Sequence, residues 1–62
     1  MPYITQIKER AAALGLEVVW LRVNQCWAVR LRLGPDPLWW PIEALKPNLS
    51  EVRDFLSDFE RR

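Results

Sequence analysis

The side chains that could do chemistry in this chain are few and scattered. Aliphatic hydroxyl groups occur at Thr5, Ser50 and Ser57, the one thiol is Cys26, and the sequence has no histidine. A serine or cysteine nucleophile of the usual kind relies on a histidine base, so such a pair is excluded. A metal site of the Cys/His type is excluded for the same reason.

Carboxylates are the remaining candidates for catalysis. Glu51, Asp54 and Asp58 recur at helical spacing, and a pair of carboxylates can do acid/base work. A run of this kind is far more often the solvated face of a helix. Gly15 and Gly34 each stand alone, so the sequence lacks a glycine-rich loop for phosphates. We therefore expect a protein that is not an enzyme and needs no metal or cofactor.

Aromatic and basic side chains point to binding instead. Four tryptophans occur in 62 residues, and two of them, Trp39 and Trp40, are neighbours. Neighbouring side chains of an extended segment face opposite sides, so only one member of this pair can enter a single core. The other member is a candidate for contact with a partner.

Length and composition set the limits for this chemistry. A chain of 62 residues makes one domain, residues 1–62, and buries only roughly 60% of its unfolded surface. With one cysteine it has no internal disulfide, so packing or self-association must stabilise it. Met1-Pro2-Tyr3 does not open a signal peptide, and no apolar run is long enough to span a membrane. We expect a cytoplasmic protein.

The charge is uneven along the chain. Residues 1–34 hold five cations and two acids, a net of +3, and residues 35–62 hold four cations and six acids, a net of −2. A polyanion would therefore meet the first half of the chain.

Two helices are predicted at the ends of the chain. Ile4, Ile7, Ala11 and Leu14 form an apolar stripe over residues 3–14, and Gly15 is suited to end that helix. Asn48 begins the last helix, with Glu51 completing a capping box. The apolar stripe of the last helix comprises Leu49, Val52, Phe55, Leu56 and Phe59.

Two strands are predicted over residues 17–23 and 27–33, joined by a turn at residues 24–26. We expect a register with Val23 opposite Trp27, Leu21 opposite Val29 and Val19 opposite Leu31, because it collects apolar residues on one face. A two-residue loop would set Val19 against Arg30 and mix the faces. The preferred register puts Trp20 opposite Arg30, as a cation–π pair.

A third strand is predicted over residues 38–42, after a rigid connector at residues 34–37. Pro41 lacks a backbone donor, so this strand should lie at a sheet edge. Leu38, Trp40 and Ile42 then share the core face, and Trp39 faces outward. Residues 43–45 are expected to be a short helical turn or a coil.

The predicted fold class is α+β: the order α-β-β-β-α, with a three-stranded antiparallel meander and two helices packed on one face. The other face stays open. On that open face we expect the candidate partner-binding residues, which are Trp20, Arg22, Arg30, Arg32 and Trp39.

This order of elements resembles the double-stranded-RNA-binding-like fold, including the small toxins of HicA type. The resemblance implies RNA binding. However, the toxins' catalytic histidine has no counterpart in this chain, and Asn48-Leu49-Ser50-Glu51 stands where RNA-binding domains place lysines.

Two classes of partner follow for the open face. The first is a protein, either a second copy or a larger assembly, because exposed tryptophan and arginine are enriched at interfaces. The second is RNA or DNA, contacted by stacking and by arginine–phosphate pairs. We favour the protein partner, since the net charge of +1 is low for a nucleic-acid-binding domain.

Overall fold

The architecture is a three-stranded sheet with both helices on one side. A computed structural model describes residues 3–62 and gives these elements in order: α1 (Tyr3–Ala13), β1 (Leu16–Leu21), β2 (Cys26–Leu31), a single 3₁₀ turn (Pro37–Trp39), β3 (Ile42–Lys46) and α2 (Leu49–Glu60). The sheet is antiparallel, with strand order β1-β2-β3. The predicted α+β class and element order are confirmed. Met1 and Pro2, on which the expectation of no signal peptide partly rests, lie outside the described residues.

The helix ends are formed by the residues that the sequence indicated. Gly15 follows α1 with φ of 75°, a left-handed conformation that costs glycine little. The Asn48 side chain accepts a hydrogen bond from the Glu51 N–H at 3.0 Å, which caps α2. Both helix boundaries were therefore predictable from local chemistry.

The two helices pack on each other as well as on the sheet. α1 contacts β1, and α2 contacts β2 and β3. Near their C-terminal ends, the Arg10 guanidinium donates to both carboxylate oxygens of Glu60, at 2.7 and 3.3 Å, and to Ser57 Oγ at 3.0 Å. These hydrogen bonds hold the pKa of Glu60 below its ordinary value and raise the pKa of Arg10.

The core lies between the helices and one face of the sheet. Its fully buried side chains come from four of the elements: Ile7, Ala11, Leu16, Val18, Val29, Val52 and Leu56. Trp27, Leu31 and Ala44 pack against this cluster from the sheet, and Phe55 and Phe59 from α2. The core is thus mainly aliphatic, with aromatic rings at its margins.

The predicted register of the first hairpin is wrong. Leu21 pairs with Cys26 and Val18 with Val29, so the loop comprises four residues, 22–25, with Gln25 at φ of 50°. The face of β1 that packs on the helices therefore carries Leu16 and Val18, in place of the predicted Val19 and Leu21. The error has a physical cause: β1 is apolar on both faces, so alternation alone does not decide which face is buried.

The predicted third strand is also wrong in position. Residues 38–41 do not belong to a strand; Pro37–Trp39 form a 3₁₀ turn, and β3 begins only at Ile42. The Asp36 carboxylate accepts from the Leu38 N–H at 3.0 Å, an Asx cap that favours a turn over an extended segment. Residues 43–45, expected to be a turn or coil, belong to β3. The strand does lie at an edge of the sheet, as expected.

Trp40 is not a core residue, contrary to the sequence prediction. It is half-buried and lies outside the buried cluster. Because it precedes β3 in the connector at residues 32–41, its indole is not placed by strand alternation. Hydrogen bonding and cation–π contacts on the other side of the sheet hold it instead.

Candidate interaction surface

The face of the sheet opposite the helices has no covering element among residues 3–62. Strand alternation assigns its residues from the register, because direct partners across an antiparallel pair share a face. Val18 and Val29 are paired and face the helices, so the paired Val19 and Ala28 face the other way. We call this surface the open face; its residues are Glu17, Val19 and Leu21 on β1, Cys26, Ala28 and Arg30 on β2, and Ile42 and Leu45 on β3.

The open face is mainly apolar. Ala28, at its centre, is fully buried although it does not belong to the core cluster, because its neighbours Val19 and Leu45 flank it on both strands. Ile42 and Leu45 are about half exposed, at 53% and 49%. Burying apolar area contributes roughly 25 cal/mol per Å² of favourable free energy. These side chains do not gain that contribution while they remain in water.

The charged residues of the open face neutralise each other. Glu17 and Arg30 are direct cross-strand partners, and the Arg30 Nε donates to Glu17 Oε1 at 3.1 Å. A second N–H of the same guanidinium bonds the same oxygen and forms the ion pair. Arg30 also donates to the Pro37 carbonyl oxygen at 3.2 Å. This arginine is therefore committed to holding the connector against the sheet.

Trp40 is clamped at the same end of the open face. The guanidinium carbons of Arg30 and Arg32 lie 5.5 and 5.6 Å from its ring centroid, within cation–π range. Its indole N–H donates to the Gly34 carbonyl oxygen at 3.0 Å. The predicted cation–π pair of Trp20 with Arg30 is thus replaced by one with Trp40, because the true register sets Glu17 opposite Arg30.

Two apolar side chains project from the connector beside this clamp. Leu38 is 87% exposed and Trp39 81% exposed, on the 3₁₀ turn that Arg30 anchors. At the opposite end of the strands, Val23 in the hairpin loop is 97% exposed. Both ends of the sheet therefore carry uncovered apolar groups.

The five residues predicted for the open face are only partly brought together. Arg30 lies on it, Arg32 follows the end of β2 with its guanidinium over Trp40, and Trp39 is exposed beside it. Arg22 lies in the hairpin loop, and Trp20 lies on the helix side, where its ring meets Trp27 edge-on at 5.1 Å between centroids. The apolar members of the face, Val19, Leu21, Ile42 and Leu45, were not predicted to lie there, because the expected register puts the first three in the core and Leu45 was expected in a helical turn or coil.

Groups suited to catalysis or metal binding are not gathered on this surface. Across residues 3–62 no three carboxylates or thiols approach closely enough to hold a metal ion, and no charged or polar residue is buried. Cys26 is a free thiol of intermediate exposure. Within the same residues, neither helix combines the length and the apolar character required to cross a bilayer.

Comparisons of this chain with protein-family models, with curated proteins and with solved structures found no match.

Proposed function

We propose that this protein is a small, non-catalytic interaction module that pairs with a second copy of itself through the open face. The observation that carries the proposal is the uncovered apolar centre of the sheet, formed by Val19, Leu21, Ile42 and Leu45 around the buried Ala28. An exposed patch of this kind on a small chain is typical of a surface that associates.

Charge supports a second copy as the occupant. On β1 and β2 the face carries one acid and one base, Glu17 and Arg30, and they already neutralise each other. Two such faces can stack without opposing like charges, whereas a strongly acidic or basic partner would gain little. Sheets pack face to face about 10 Å apart, so an uncovered sheet face can be buried against the same face of a second copy.

The two ends of the face favour one orientation. A two-fold axis lying between the sheets and perpendicular to the strands would bring the hairpin loop of one copy to the connector of the other. Val23 would then approach Leu38 and Trp39 of the second copy. A two-fold symmetric interface needs this self-complementarity, since the same patch serves both partners.

The area of the sheet face also favours an interface that includes the connector and the hairpin loop. Six residues at about 3.3 Å and three strands about 4.8 Å apart give a sheet face of only a few hundred Å². A stable interface buries roughly 800 Å² on each partner. The sheet alone is too small, so the connector and hairpin loop must contribute, and we expect association in the micromolar range.

The alternative is a nucleic-acid-binding module that uses the same face. It is supported by Arg32, which makes no ion pair within residues 3–62, and by Trp40 and Trp39 as stacking groups. Against it stands the Glu17–Arg30 pair, which neutralises the second arginine. Phosphate contacts would make binding weaken steeply with salt, whereas apolar association would not.

The test is sedimentation velocity from about 1 to 500 μM, at low and high salt, with and without a mixed-sequence RNA. We expect a concentration-dependent dimer that persists at high salt. Leu45→Lys should make the protein monomeric because it buries a charge in the interface. Tyr3→Lys is the matched control, since Tyr3 is similarly exposed, at 45%, on the helix side. A wild-type protein monomeric throughout would contradict the proposal, and salt-sensitive RNA binding would favour the alternative.

Cys26 reports the orientation of the pair. It lies at the loop end of the open face, so the proposed axis puts the two Cys26 residues at opposite ends of the interface. Their Cα atoms are then much farther apart than the roughly 4.4–6.8 Å that a disulfide requires. Mild oxidation of the dimer should therefore leave it uncrosslinked. Rapid formation of a disulfide dimer would show that the loop ends meet and that the proposed orientation is wrong.

A further inference from the structure

The free edge of β1 is a second unpartnered surface, independent of the open face. The Arg32 N–H donates to the Gly15 carbonyl at 3.1 Å, and the Leu31 N–H donates to the Pro41 carbonyl at 3.0 Å. Because backbone groups alternate in direction along an antiparallel strand, those of Leu16, Val18 and Trp20 must point away from β2. No hydrogen bond from another element reaches these groups within residues 3–62.

The two edges of the sheet differ in how they are protected. β3 is short, lies between Pro41 and Pro47, ends in Lys46 and contains a bulge opposite Val29 and Arg30. These are the devices by which proteins prevent an edge from pairing with another chain. β1, with six residues and an unbroken register, has neither proline nor lysine. The sequence blocks one edge and leaves the other able to pair.

A groove runs along the unblocked edge. Its volume is about 350 Å³, and it is lined by the first four residues of β1 together with Lys8, Ala12 and Arg32. Lys8 belongs to α1, on the helix side of the sheet, and Arg32 lies on the open side. Neither makes an ion pair within residues 3–62, whereas the one acid of the groove, Glu17, is paired with Arg30. The groove is therefore electropositive on both sides.

The geometry points to a docking site for an extended, acidic peptide segment of a partner protein, which adds to the sheet as a fourth strand beside β1. The backbone groups of Leu16, Val18 and Trp20 supply the pairing, a recurrent mode of peptide recognition. Successive side chains of the added strand point to opposite faces. Two acids an odd number of residues apart would thus meet Lys8 on one face and Arg32 on the other.

The experiment is a selection of displayed random octapeptides against the full 62-residue chain. We expect enriched sequences to combine β-branched residues with two acids at odd spacing. Binding of a synthesised winner should weaken about two- to five-fold for Lys8→Gln and for Arg32→Gln, the range of exposed charge pairs. Failure to enrich any sequence, or winners without acidic residues, would overturn the proposal.

A backbone modification tests the pairing itself without altering any side chain. The chain is short enough for chemical synthesis, so an N-methyl group can replace the outward N–H of Val18. We expect peptide binding to be lost, with the circular dichroism spectrum retained. N-methyl-Leu45 is the matched control, because that N–H points outward from the opposite edge, and binding should be unchanged. Equal loss with both variants, or loss with neither, would overturn the proposal.

The peptide-docking proposal can be tested separately from the proposed dimer. Leu45→Lys, designed to abolish stacking of the open faces, should leave the affinity for the selected peptide unchanged. If N-methyl-Val18 instead abolishes self-association in the absence of peptide, the β1 edge pairs with a second copy, and the acidic-peptide proposal is wrong.

Discussion

The two faces of the sheet are both apolar, but only one of them is covered by the helices. On the covered face, Leu16, Val18 and Val29 are buried against α1 and α2 and form the core. On the open face, Val19, Ile42 and Leu45 flank a buried alanine and keep part of their surface in water. The apolar residues of the covered face are therefore needed for folding, whereas those of the open face are apolar beyond what folding needs.

The two edges of the sheet differ in a similar way, because only one of them is protected from pairing with another chain. β3 is guarded by prolines, a bulge and a lysine, whereas β1 is not. A sheet with one covered face and one guarded edge still presents an open face and a free edge. Association is therefore proposed for surfaces that the fold leaves uncovered.

The largest expected effect comes from truncating a side chain beneath the helices. Leu56 is 0% exposed, so Leu56→Ala should lower the free energy of unfolding by about 2–5 kcal/mol. Leu45→Ala on the open face should lower it by less than about 1 kcal/mol at concentrations where the protein is monomeric. Urea denaturation of both variants measures the difference. Similar losses at the two positions would mean that the open face is part of the core.

An intermediate effect is expected at the clamp. Trp40→Ala removes one hydrogen bond and two exposed cation–π contacts, so we expect a loss of about 1–2 kcal/mol. Trp39→Ala, at 81% exposure, should leave the stability of the monomer unchanged. Thermal and urea unfolding of the two variants check the contrast. A loss above about 3 kcal/mol for Trp40→Ala would indicate the core tryptophan that the sequence suggested.

The smallest effect concerns the ion pair between the helices. Because the pKa of Glu60 is lowered in the folded state, the pair stabilises the fold above the ordinary glutamate pKa. That contribution is lost as the pH falls from about 5 through the lowered value. Glu60→Gln should thus be slightly less stable than wild type at pH 7, and this difference should shrink as the pH falls below about 5. A constant difference between the two proteins from pH 7 to pH 3 would contradict this assignment.

The sequence predicted what depends on local chemistry. The Asn48 cap, the left-handed Gly15 and the two apolar stripes determine the helices, and two β-rich segments determine the hairpin. The register was not predictable by alternation, because Val18 and Val19 make both faces of β1 apolar. The position of β3 was missed because aromatic residues at 39 and 40 suggested a strand, whereas the Asp36 carboxylate caps a turn there.

The candidate site was predictable only in its basic part. Arg30 lies on β2, a strand whose covered side was correctly assigned, and Arg32 follows the end of that strand, so both were placed on the open side. The apolar residues of that face could not be found without the register, since a shift between odd and even positions exchanges the two faces of β1.

The most direct test of the open face as a self-association surface is the mass of the protein in solution as its concentration rises. Sedimentation velocity on wild type, Leu45→Lys and the control Tyr3→Lys provides it. We expect a dimer for wild type and for Tyr3→Lys, at low and high salt, and a monomer for Leu45→Lys. A monomeric wild type at 500 μM, or a dimer that Leu45→Lys leaves intact, would contradict it.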